Sequence, residues 1–214
     1  MSTATASPPA PEVAAPVVAS PPRAVPTTPD HPHWSMPLAV YEKIVEAGLL
    51  EEYRHVYLWD GRLCERMGIN RPHVYGVKSL FLALVAICAD EFAPETEAPM
   101  AFRFHDSAPQ PDIKVLRGRT KDFMQRMPTT ADVALVVEVT DTTLSKDRGL
   151  VITYAIEEIP VYWLLNIPAN RLEVYAAPVA GVYTSITFFD PAQDAPVVLD
   201  GREIGRVRVA DLLP

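Results

Sequence analysis

The stretch Ala134-Leu-Val-Val-Glu-Val139 leaves this chain few folds to choose from. It is apolar at nearly every position and lacks the alternation of a half-exposed strand, so it reads as a β-strand covered on both faces. Its one charged residue, Glu138, then lies where a carboxylate is costly without a partner. A divalent cation would serve, and so would an arginine. A second acid stands at the start of another expected strand, in Gln110-Pro111-Asp112-Ile113. Two carboxylates converging from these strands, with the main-chain carbonyl of Val139 beside them, suit the oxygen coordination of Mg²⁺, with Mn²⁺ as a substitute.

Around that strand the pattern mixes helix and strand. Ser35-Met-Pro37 offers an N-cap and an early-turn proline, and Leu38, Tyr41, Ile44 and Val45 recur at helical spacing until Gly48. Val56-Tyr-Leu58 and Leu63 to Met67 flank Asp60-Gly61, a two-residue hairpin turn. Val74, Val77, Leu80, Phe81, Leu84, Ile87 and Cys88 mark one face of a long helix from about Pro72 to Phe92. His73 opens that helix, where the partial positive charge of the N-terminus favours a neutral imidazole. Met100 to Phe104 reads as a strand, and His105-Asp106 after it form a further candidate ligand pair. A helix follows Glu138 through about Glu158, then strands over Val161 to Ile167, Arg171 to Ala176 and Val182 to Phe189, with a last hairpin turn at Asp200-Gly201. The order predicts an α/β fold: a mixed β-sheet flanked by helices.

Several short motifs recur in a fixed order: Leu58-Trp-Asp-Gly61, Pro72-His73, Pro111-Asp112-Ile113, Val137-Glu138-Val139, Asp147-Arg148 with Tyr154-Ala155, and Ile159-Pro-Val-Tyr-Trp-Leu164. On these, from about Tyr41 to the C-terminus, the chain resembles the Uma-type family of bacterial restriction endonucleases within the PD-(D/E)xK nuclease superfamily. The resemblance implies a restriction-endonuclease-like sheet, with Asp112 and Glu138 as the metal-binding acids of an endonuclease that hydrolyses phosphodiester bonds, DNA being the expected partner. His73 matches a histidine of that family. The lysine does not match: Thr140 stands two residues after the second acid, and Leu150 stands four residues before Tyr154, where this family carries it. Tyr57 and Arg62 also replace acids of the family around the Leu-x-Asp-Gly turn. Lys146, with a flexible stem and a pKa that can fall near a metal, is the substitute cation, whereas Arg148 is expected to pair with an acid. The alternative is a nuclease fold that no longer cuts and binds nucleic acid or protein, as a homodimer or a docking module.

Composition sets the outer limits. Residues 1–34 form an expected disordered tail rich in Pro and Ala, and residues 35–214 the folded domain. Met1 to His33 hold nine of the 22 prolines and only Glu12, Arg23 and Asp30 as charged residues, too little to build helix or sheet and the wrong pattern for a signal peptide. Without them, 18 basic and 25 acidic residues leave a net charge of −7, unfavourable for non-specific DNA binding. Lys114, Arg117, Arg119, Lys121 and Arg126 against Asp122 are a local exception. No apolar run reaches the roughly 18 residues of a membrane span. Cys64 and Cys88 provide neither a disulfide framework nor zinc-ligand spacing, so a soluble cytoplasmic protein is expected. Phosphate-cradling, dinucleotide-binding and serine-nucleophile motifs are all lacking.

Overall fold

The computed structural model describes residues 34–66, 70–89, 91–141 and 144–214, with the backbone alone for 144–148. The chain divides into two units, Met1–Trp34 and Ser35–Pro214, and every element below belongs to the second. The predicted tail falls outside the described residues up to His33.

Three helices are present among the described residues: α1 (Leu38–Glu46), α2 (Arg71–Ile87) and α3 (Leu144–Ile156). The hairpin of β1 (Val56–Trp59) and β2 (Arg62–Glu65) turns at Asp60 and Gly61, whose φ angles of 47° and 69° are those the Asp-Gly pair predicts. The central sheet holds β3 (Phe92–Thr96), β4 (Ile113–Arg117), β5 (Val133–Thr140), β6 (Val161–Asn166), β7 (Arg171–Val179) and β8 (Val182–Phe189), in that spatial order. Among the described strands only β5 and β6 pair in parallel, and α3 is the crossover between them. β9 (Asp194–Leu199) and β10 (Arg202–Arg208) form a separate hairpin.

The apolar run that constrained the fold is the sheet's middle strand, and Val133 to Val137 are all fully buried. On one face Leu80 and Leu84 of α2 pack against Ile113, Val115, Leu135, Val137, Val139, Trp163 and Leu165, joined by Val197, Leu199 and Val207 of the β9–β10 hairpin. On the other face Tyr154 and Ala155 of α3 pack against Val136, Tyr162, Leu164 and Tyr175. The result is the mixed α/β sheet with helices on both faces that the sequence order predicts. Gly76 brings the first turns of α2 down onto the sheet, since a Cβ there would lie 2.9 Å from Leu165 Cδ2 and 3.0 Å from Val139 Cγ1.

Three local readings are corrected. α2 stops at Ile87, because Cys88 is already extended at φ −69° and ψ 119°, and Phe92 opens β3 instead of closing the helix. Met100 to Phe104 is no strand. Its backbone folds back on itself, with Met100 N–H donating to Pro109 and Phe102 N–H to Ser107, and a single bridge joins Ala101 to Thr129. Ser35 does not cap α1; Leu38 N–H is satisfied at 2.9 Å by Asp106 Oδ1, and Ser35 lies against Gly61.

Candidate active site

Asp112 stands one residue before β4, opposite Glu138 when the Ile113–Val137 register is continued. The two acids are tied through the backbone as well. Asp112 N–H donates to Glu138 Oε2 at 3.3 Å, and Val139 N–H donates to Asp112 Oδ2 at 2.8 Å. Asp112 is buried, yet its carboxylate is well partnered. His73 Nε2 lies 3.0 Å from Oδ2, and the Arg66 guanidinium lies 2.7 Å from Oδ1 while reaching Glu97 Oε1 at 3.3 Å with its other nitrogen. An arginine was entertained as the partner of Glu138, and the structure has one on Asp112. Nothing local marks Arg66 in the sequence, since Asp112 is 46 residues away.

His73 reaches Asp112 because Asn70 caps α2, its Oδ1 accepting from His73 N–H at 3.0 Å, and because Asn70 also bonds Asp141 beyond the end of β5. Burial acts to lower the imidazole pKa, but the hydrogen bond and charge of Asp112 outweigh it, and the net direction is upward. The neutral preference expected from the helix N-terminus is thus reversed by a nearer carboxylate. His73 Nδ1 is buried without a partner among the described residues.

On the sheet's other side, Tyr154 donates its hydroxyl to Glu138 Oε1 at 2.8 Å. Burial first, then the charge of Glu138, holds the Tyr154 pKa well above the usual phenol range, so it remains a donor. Tyr57, where an acid was expected, also feels Glu138, and burial raises its pKa. Thr140 is fully buried with its hydroxyl unpartnered among the described residues, and Leu150 is half-buried against the α3-side core. Lys146 and Arg148 lie in the first turns of α3, and their side chains fall outside the described residues.

The remaining candidates are structural. His105 Nδ1 lies 2.7 Å from Glu157 Oε1, a buried carboxylate that also accepts the N–H groups of Arg103 at 2.6 Å and Phe104 at 3.1 Å. Asp106 caps α1. In the basic stretch that runs from β4 into the loop after it, Lys114 is buried against Glu95 at 3.0 Å, Arg117 pairs with Asp200 at 2.5 Å, and Arg126 pairs with Asp132 at 2.7 Å. Arg119 and Lys121 alone of that stretch form no ion pair among the described residues. Cys88 is pushed up to about 11 by burial, which removes it as a nucleophile at neutral pH. No group of three or more His, Cys, Asp or Glu able to hold a metal ion occurs among the described residues.

The site thus consists of two acids, one just before β4 and one within β5, that meet across a mixed sheet covered on both faces. The same fold is seen in the crystal structure of "a putative nuclease belonging to DUF820 from Anabaena variabilis", with a TM-score of 0.58 and 14% identity over 73% of this chain and 88% of that one. Residues 41–206 match the family Uma2, described as "Putative restriction endonuclease". That match spans more than half of the chain, and the protein belongs to this family. No curated protein matches it.

Proposed function

We propose that the protein is a metal-dependent endonuclease acting on DNA, with Asp112, Glu138 and the Val139 carbonyl as ligands of Mg²⁺ or Mn²⁺. The observation that carries this reading is the clasp between the two acids across β4 and β5. The donor set fits a hard cation: two carboxylates, and a carbonyl at Val139 whose cross-strand position, continuing the register, is Pro111, which has no N–H to give. When bound, the ion would acidify a water and offset charge on the phosphate under attack. Within the protein, Val139 N–H and His73 fix Asp112 Oδ2, Tyr154 fixes Glu138 Oε1, and Lys146 supplies a cation from the first turn of α3. With three of its five basic residues already paired, the 114–126 stretch leaves Arg119 and Lys121 for phosphates, so DNA binding should be weak and strongly salt-dependent.

The second reading, a nuclease fold that binds without cutting, is favoured by Thr140 and Leu150 in the two lysine positions and by Arg66 on Asp112. One assay separates them. On DNA with Mg²⁺ or Mn²⁺, cleavage should be weak, abolished by Asp112→Ala or Glu138→Ala, and reduced on the order of 10² by Lys146→Ala. If the natural protein cuts nothing while Leu150→Lys does cut, the binding reading replaces the enzymatic one.

A further inference from the structure

We propose that Arg66 holds the cation's place on Asp112, so that guanidinium and divalent ion compete for Oδ1. The inference rests on the metal-site reading above. The two oxygens of Asp112 are partnered differently. Oδ2 takes two donors fixed by the fold, Val139 N–H at 2.8 Å and His73 Nε2 at 3.0 Å. At Oδ1 the contact is Arg66 at 2.7 Å, carried on the residue after β2 by a long, flexible side chain. An ion bound at Oδ1 would bring a second positive centre against the guanidinium inside a largely desolvated pocket, and like charges there repel strongly.

The arginine also has somewhere to go. Its other nitrogen already lies 3.3 Å from Glu97 Oε1, and the two side chains are 19% and 52% exposed. Releasing Asp112 therefore keeps one ion pair and moves the charge toward solvent. Without a metal, the same guanidinium spares Asp112 the cost of a buried, uncompensated carboxylate. Arg66 is in this sense a positioning residue that stabilises the metal-free protein and raises the apparent Kd for the metal by the reciprocal of the fraction of time it leaves Oδ1 free.

The test is Mn²⁺ binding by calorimetry on the full chain, comparing the natural protein with Arg66→Ala and Arg66→Lys. If Arg66 occupies Oδ1 about nine-tenths of the time, Arg66→Ala should bind Mn²⁺ about tenfold more tightly. Its melting temperature should fall without the ion and recover with it, and Arg66→Lys should lie between. Should Arg66→Ala fail to fold, Arg66→Gln, which keeps a donor but no charge, carries the same comparison. Equal or weaker binding by the neutral variant overturns the competition. So does a gain that disappears in high salt, which would report screened long-range repulsion and not occupancy of one oxygen. If neither protein binds Mn²⁺, both this inference and the metal-site reading are lost, whereas unchanged binding removes only the inference.

Discussion

A single side chain shows how proximity overrides a general rule at this site. The helix end favours neutral His73, yet the carboxylate 3.0 Å away raises its pKa. In the metal-free protein the stabilising effect of that charge is fully present below the unfolded histidine value of about 6.5 and is lost as pH rises through the higher folded value. Melting temperatures measured between about pH 5.5 and 8.5 should therefore fall less steeply with rising pH for His73→Gln than for the natural protein; parallel curves would show that His73 does not titrate against Asp112. Asp112, Glu138 and His73 were legible in the sequence because each sits in a short motif or breaks a local pattern, as a charge in an apolar strand does. Arg66 and Glu97 were not, because each looks like an ordinary solvated residue until the positions just after β2 and just after β3 come together beside Asp112.

Among the elements, those with strong local signals were readable: the Asp-Gly hairpin, the apolar stripe of α2, and β5 through its unbroken hydrophobic run. β3 was hidden because Phe92-Ala-Pro-Glu-Thr96 carries a proline and Phe92 continues the apolar spacing of α2, so the helix was expected to reach Phe92. The Met100 to Phe104 segment misled in the opposite way. Its first three residues are buried like a strand, but Met100 and Phe102 donate their N–H groups within a tight loop, Ala101 donates to Pro128, and Arg103 and Phe104 donate to the Glu157 carboxylate just after α3. The seat of α2 depends on Gly76. Gly76→Ala would place a methyl within 3.0 Å of Leu165 and Val139, and overpacking of this kind costs roughly 1–3 kcal/mol, more than the ~1 kcal/mol of helix propensity gained. The urea midpoint should drop with an unchanged denaturant slope; an increase would mean that the helix shifts freely on the sheet.

At the scale of the molecule, the division between Trp34 and Ser35 and the proline content of the first 33 residues give the same expectation. Removing Met1 to His33 should leave the melting temperature almost unchanged, and a fall of several degrees would show that those residues stabilise the domain. The two edges of the sheet are unlike. β3 is short and carries Pro94 and Glu95, the usual devices that discourage pairing with another chain. β8 is eight residues long, holds no charged residue, and leaves Val182, Ile186 and Phe188 56%, 54% and 49% exposed. β8 itself carries no charge to oppose pairing with a second copy, and the repulsion available against it is that of the overall net charge of −8. Such repulsion is screened over about 8 Å at physiological ionic strength, whereas strand pairing is not. Static light scattering at fixed protein concentration should rise as salt is added, and Ile186→Lys should suppress the rise. A variant that scatters like the natural protein would clear β8 of the charge, whereas suppression would make ionic strength the variable that limits how concentrated a solution of this protein can stay clear.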